Sequence, residues 1–291
     1  VAVEAFAPAK LNLYLHVGPP MADGRHPLDS LAAFADIGDD LAAAPADGLS
    51  LRIDGPFGAA LAADPDNLVL RAARALAQAA GREPNAALRL TKRLPIASGI
   101  GGGSADAAAA LRALSALWSL NLPADALEAI AAGLGADVPV CVGSRPSVMT
   151  GTGETLAPAP ALPAEVGVVL VNPGVAAPTG PVYRVFDALT PGRADFAAPA
   201  LPAAVPDLDA LVGLLKARRN DLETAATALV PPIADVLAAL RTAPGVRLAR
   251  MSGSGATCFG LAPDRARAEA AAAAIAGRHP GWWVAAGLLL G

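Results

Sequence analysis

At 291 residues the chain is long enough for a sizeable core, and near the length at which one core divides into two lobes. Its formal net charge of −4 and pI near 5.4 exclude the broad basic face that nucleic-acid binding requires. Mean hydropathy is +0.46, but the longest uncharged stretch, residues 166–183, is interrupted by Pro173, Pro178 and Pro181, so no membrane-spanning helix is expected.

No basic segment followed by an apolar run opens the sequence as given, so secretion is not expected. Cys141 and Cys258 sit in apolar surroundings without metal-ligand or disulfide spacing. Two buried thiols in a cytoplasmic protein are the expectation.

Residues 9–17 alternate with period two, placing Leu11, Leu13, Leu15 and Val17 on a core face and Lys10, Asn12, Tyr14 and His16 on the other. Turn chemistry at Gly18-Pro19-Pro20 and Ala22-Asp23-Gly24 precedes a second strand over residues 28–37. Asp66-Asn67-Leu68 opens a helix with apolar positions Leu68, Ala72, Ala75, Leu76 and Ala79, ending at Gly81. A strand follows over residues 87–91, then a helix over 104–118 capped by Ser104 or Asp106, then a helix from Asp125 to Gly133. Residues 166–171 form a strand, followed by an irregular Pro- and Gly-laced segment, and a composition shift at 157–163 marks a lobe boundary near 160. Beyond it come helices over 208–218, 221–229, 233–240 and 264–276, with strands over 246–250, 257–261 and 282–285. The order gives an α+β protein of two lobes, 1–160 and 161–291, without internal repeats.

The run Pro95-Ile96-Ala97-Ser98-Gly99-Ile100-Gly101-Gly102-Gly103-Ser104-Ala105 carries the strongest chemical signal. It strips side chains away where a helix begins, so unpaired N–H groups and the positive helix end can face a polyphosphate. A plain flexible turn is the alternative. A Walker A loop is excluded, because no lysine lies between Arg93 and Lys216. A dinucleotide fingerprint is excluded because the sixth position from Gly99 is Ser104. The His-Arg-Asp and Asp-Phe-Gly triplets of protein kinases are also absent.

This loop resembles the phosphate loop of the GHMP kinases, small-molecule kinases of galactose, homoserine, mevalonate and phosphomevalonate. Pro8-Ala9-Lys10-Leu11-Asn12-Leu13 resembles the family's first block, and Met251-Ser252-Gly253-Ser254-Gly255-Ala256-Thr257 its third, a glycine turn that folds back toward the phosphate loop. Segments 22–26, 66–69, 134–139 and 220–223 resemble the branch that phosphorylates a cytidine diphosphate conjugate of a methylated tetritol. The resemblance implies a ribosomal S5 domain 2-like N-terminal lobe and a ferredoxin-like C-terminal lobe, with the active site between them. It implies ATP as co-substrate, Mg²⁺ as cofactor, and a small-molecule acceptor rather than nucleic acid or membrane, with no obligate protein partner. A homoserine or mevalonate-type acceptor, or a non-catalytic module on the same fold, stays open.

Residue by residue, the resemblance makes Asp137 the general base and Lys10 its cationic partner. Without it, Asp137 also fits a turn or helix-cap aspartate and Lys10 a solvated strand lysine. The glycine loop would hold the triphosphate, with Asn67 and Leu68 flanking adenine; Asp106 would point away from phosphate. Asn12, His26, Thr179 and Tyr183 would contact the acceptor, His26 and Tyr183 at its cytosine. Two departures stand out: Ala105 replaces a frequent second serine, and Arg25 replaces a frequent tyrosine at the cytosine site.

Overall fold

The computed structural model describes residues 1–59, 61, 66–192 and 195–291. The chain forms two compact units. One comprises Val1–Lys10, Gly38–Ile96 and Gly101–Ser144, the other Leu11–Ile37, Ala97–Ile100 and Arg145–Gly291. Two long strands, β1 (Val3–Val17) and β2 (Leu28–Ala44), pair with each other and run through both.

In the first unit, β2 pairs antiparallel with β4 (Ala86–Thr91), Leu41 opposite Leu90. β3 (Leu49–Asp54) adds to β4 in parallel. Helix α1 (Leu68–Ala79) packs on α2 (Gly102–Leu117), and α3 (Ala124–Ala132) packs on α4 (Val138–Gly143). The α1 stripe is Val69, Ala72, Ala73, Leu76 and Ala77, about one position round from the expected one; Ala79 is exposed and Leu68 only partly covered. Asn67 sets that register, its side-chain oxygen accepting the Val69 N–H at 2.9 Å as an N-cap. In α2 alanines are buried on nearly every side, as expected of a helix apolar all round.

In the second unit, β7 (Gly167–Asn172) lies between β9 (Cys258–Ala262) and β10 (Trp283–Leu290), and β8 (Leu248–Met251) flanks β9, all antiparallel. Leu289 and Leu290 pair with Ala35 and Phe34 of β2. β5 (Ser147–Thr150) pairs with β2 and with β6 (Thr155–Pro158). Helices α8 (Pro232–Thr242) and α9 (Arg265–Arg278) pack on the sheet, while α5 (Thr179–Leu189) packs on α7 (Glu223–Leu229). Val171, Val182, Phe186, Ile233, Leu240 and Ile275 lie in this core. Helix α6 (Leu208–Lys216) is capped by Asp207 and α9 by Asp264, each side chain accepting an N–H of the first turn.

Several expectations are corrected. Neither Ser104 nor Asp106 caps α2; the helix starts two residues earlier, with Gly101 at the cap in left-handed conformation. Leaving that position to glycine removes the Cβ penalty of φ +64°. Helix α5 occupies a segment expected to be irregular. Its Gly180-Pro181 pair falls in the first turn, where proline removes no needed donor.

Arg250 stitches the second unit together. Its buried guanidinium donates to Leu13 O, Leu215 O and Arg218 O at 2.7, 2.7 and 2.8 Å. Burial lowers its pKa to about 10, still charged at neutral pH. Arg250→Met strands three buried carbonyls at about 1 kcal/mol or more each. A loss of about 3 kcal/mol of unfolding free energy is expected, read by urea denaturation.

Candidate active site

β1 carries Lys10 into the first unit, where only 4% of its side chain is exposed. Its ammonium donates to Asp137 Oδ2 at 2.9 Å across 127 residues of sequence. Asp137 occupies the N-cap position of α4 but makes no capping hydrogen bond; its carboxylate turns to Lys10 instead. Its side chain remains 42% exposed, so one face of the carboxylate can still meet a ligand. Pro139, in the first turn of α4, fixes the backbone just after Asp137.

The start of α2 adjoins this pair. A Cβ on Gly101 would lie 3.1 Å from Lys10 Cβ, so the loop backbone runs directly along the lysine stem. The first intrahelical bond is Ala105 N–H to Gly101 O at 2.8 Å, leaving the N–H groups of Gly102, Gly103 and Ser104 outside the ladder. Those donors, the helix dipole and the absence of Cβ atoms make a cradle for oxyanions.

Beneath the cradle lies a buried ionic cluster that sequence reading did not anticipate. Lys92 donates to Asp39 Oδ2 at 2.5 Å and to Asp106 Oδ2 at 2.7 Å. Asp39 Oδ1 accepts the N–H groups of Arg93 and Leu94 at 2.5 and 2.8 Å, just before Pro95. The cluster thereby holds the approach to the glycine loop and, through Asp106, the first turn of α2. Asp106 points into this cluster, in keeping with the expectation that it faces away from phosphate. Its Oδ1 has no hydrogen-bond partner among the described residues. Burial, aided by the Asp39 carboxylate and opposed by Lys92, raises its pKa from 3.8 to about 7.

In the second unit two glycine turns interlock. Gly99 and Gly253 have φ of +76° and +54°. A Cβ on Gly99 would collide with Ser252 O and lie 2.7 Å from Gly255 O; one on Gly253 would lie 2.7 Å from Gly99 O. Thr257 N–H donates to Ser98 O at 3.0 Å, and Ser252 Oγ donates to Gly99 O at 2.9 Å. Asn220 fixes the second turn from behind, its Nδ2 donating to Met251 O and Gly253 O, both at 2.8 Å. Asn220, Ser252 and Thr257 stand in blocks already singled out in the sequence, but their roles become visible only as contacts.

The residues expected at the acceptor take varied places in this unit. Asn12 is buried and donates through Nδ2 to Ser30 Oγ at 2.8 Å, while its N–H reaches Ser252 Oγ at 3.2 Å. Thr179 Oγ1 lies 3.0 Å from Ser254 Oγ. His26 is brought against Tyr183, ring centroids 4.9 Å apart. Its Nδ1 lies 2.9 Å from Gly18 O, which makes it the donor there and leaves Nε2 3.5 Å from Asp187 Oδ2. Arg25 is engaged by polar groups: its Nε donates to Asp23 at 2.7 Å and its Nη1 approaches Thr152 Oγ1 at 3.3 Å.

Among the described residues no cluster of three or more His, Cys, Asp or Glu side chains is arranged to hold a metal, and no helix is long and apolar enough to cross a membrane. Both cysteines are buried and unbridged, and burial pushes the Cys141 thiol up to about 12.

An anion cradle with a lysine–carboxylate pair at its edge, both within the first unit, is the layout of a small-molecule kinase. Family comparison agrees: the model of the GHMP kinases N terminal domain matches residues 67–145 and that of the GHMP kinases C terminal residues 197–280. The chain belongs to the GHMP kinases. It is 57% identical to the 4-diphosphocytidyl-2-C-methyl-D-erythritol kinase of Paracoccus denitrificans (strain Pd 1222), over 96% of this chain and 94% of that protein. A crystal structure of 4-(cytidine 5'-diphospho)-2C-methyl-D-erythritol kinase superposes with a TM-score of 0.78 at 36% identity, covering 99% of each chain. Homoserine kinase from Cytophaga hutchinsonii shares the fold at 19% identity, with a TM-score of 0.73 over 99% of this chain and 95% of that one.

The buried cluster has a measurable consequence. A carboxyl whose pKa is raised on folding binds its proton more tightly in the native state, so stability falls as pH rises from about 4 to about 7. Asp106→Asn removes that dependence and is expected to gain on the wild type across this window in thermal melts. Lys92→Met removes the buried cation shared by Asp39 and Asp106 and is expected to cost about 3–5 kcal/mol.

Proposed function

We propose that this protein transfers the γ-phosphoryl group of ATP to a hydroxyl of 4-diphosphocytidyl-2-C-methyl-D-erythritol, with Asp137 as general base and Lys10 as its partner. The carrying observation is the 2.9 Å Lys10–Asp137 contact alongside the Gly101 backbone at the start of α2. The acceptor is supported by the names of relatives above 50% identity and by the cytidine-containing name of the matching structure.

The chemistry follows from what these side chains can do. The half-exposed Asp137 carboxylate accepts the proton of the attacking hydroxyl as the new O–P bond forms and the bond to the β-phosphate oxygen breaks. The Lys10 ammonium orients that carboxylate and offsets charge developing on the acceptor oxygen. N–H groups of residues 102–104 hold phosphate oxygens, where the Ser104 hydroxyl can add a contact. Mg²⁺, when bound, would neutralise phosphate charge, with the Ser104 hydroxyl as a ligand from this chain beside the substrate phosphates.

Asn67 and Leu68 stand in this proposal as flanks of the adenine, although the Asn67 oxygen already caps α1. His26 and Tyr183 serve the cytosine, with the ring of Tyr183 offering a stacking face. Thr179 and Asn12 shape the acceptor's surroundings from within their hydrogen-bond networks.

The test is Asp137→Asn. Turnover with ATP and the cytidylated tetritol should fall at least a hundredfold, while ATP affinity stays within about threefold. Turnover near the wild-type rate removes Asp137 as the base, and ADP release only with homoserine or mevalonate replaces the acceptor.

A further inference from the structure

Arg112 lies in α2 about 15 Å beyond Gly102 at 1.5 Å per residue, far from the glycine cradle. Its guanidinium nevertheless touches two of the three elements that deliver the proposed machinery of the first unit, and the third, α2, carries it. Nη1 donates to Cys141 O at 2.9 Å and Val142 O at 3.1 Å, carbonyls in the last turn of α4, and lies 3.5 Å from Ser144 Oγ. Nη2 donates to Phe6 O of β1 at 2.6 Å. α4 begins at Asp137, β1 carries Lys10 four residues past Phe6, and α2 itself begins with the cradle.

The chemistry of the contact suits an alignment role. These hydrogen bonds end on carbonyl and hydroxyl oxygens rather than on a carboxylate, and burial pulls the Arg112 pKa below its ordinary value. A partly buried cation with no counter-charge among the described residues is an expensive way to gain stability. What the planar fork provides, and a single ammonium cannot, is donors in fixed directions toward two elements at once. The cation also faces the negative end of α4, whose last carbonyls have no intrahelical donors. With α4 only six residues long, a slight tilt about that end moves Asp137 at the other.

We infer that Arg112 is a positioning residue for phosphoryl transfer, fixing α4 and β1 on α2 so that Asp137 and Lys10 keep their geometry. The inference rests on the reading of Asp137 as the base. Misplacement of about 1 Å can cost about a hundredfold in rate while leaving substrate binding intact.

Arg112→Lys keeps the charge and the aliphatic stem, so it is the variant to measure first. Its single-turnover phosphoryl transfer is expected to fall about ten- to hundredfold per folded molecule, with the ATP dissociation constant within about threefold. In Arg112→Ala, added guanidinium is expected to restore part of the rate. An unchanged rate per folded molecule in Arg112→Lys overturns the inference, as does a rate loss matched by equal loss of folded fraction and ATP binding. Asp137→Asn, run in parallel, separates the two readings. If it binds ATP but does not turn over while Arg112→Lys is unaffected, only the positioning role falls; if it turns over normally, the base assignment falls and the inference with it.

Discussion

The contact between Lys10 and Asp137 is the constraint around which the first unit is organised. An ammonium that is 4% exposed needs a counter-charge, and the carboxylate 127 positions away supplies it only if β1 and the start of α4 are brought together. Asp137 gives up capping α4 to do so. The pair is asymmetric in exposure, which suits the roles proposed for it: the lysine is held in the protein, and the carboxylate keeps an open side.

The glycine loop is built under a different constraint, which is backbone crowding. Gly99 and Gly253 are needed because backbone of the opposing turn occupies the space where a side chain would go. Gly101 is needed because left-handed backbone must turn into α2 alongside the Lys10 stem. Side-chain hydrogen bonds from Ser252 and Asn220 hold the turns of the second unit, and the buried Lys92 cluster holds the start of α2 in the first. A cradle for a flexible, highly charged ligand gains from such preorganisation, since its donors need not be arranged at the moment of reaction.

Much of this was legible in the sequence because the informative residues are punctuators. Glycines at 99, 101, 253 and 255 mark the turns, the alternation of residues 9–17 marks β1, and Asn67 marks the start of α1. The matched blocks located Lys10 and Asp137, although periodicity alone left each with a commonplace reading. Other features were hidden for identifiable reasons. β3 alternates Leu49, Leu51 and Ile53 with Ser50, Arg52 and Asp54, a period-two signal only six residues long. Helix α5 was masked by Gly180 and Pro181, which fall where a helix tolerates them. Lys92, Asp39, Asp106 and Arg112 could not be assigned from spacing, because each acts through partners that only tertiary structure supplies.

If Lys10 and Asp137 work as one unit, removing either should remove what the other contributes. A double-mutant cycle on the single-turnover rate, with Lys10→Met, Asp137→Asn and the double variant, tests this most directly. A double variant within about threefold of the slower single variant is the result expected of residues that act together. Losses that multiply, as for two independent sites, would contradict the account.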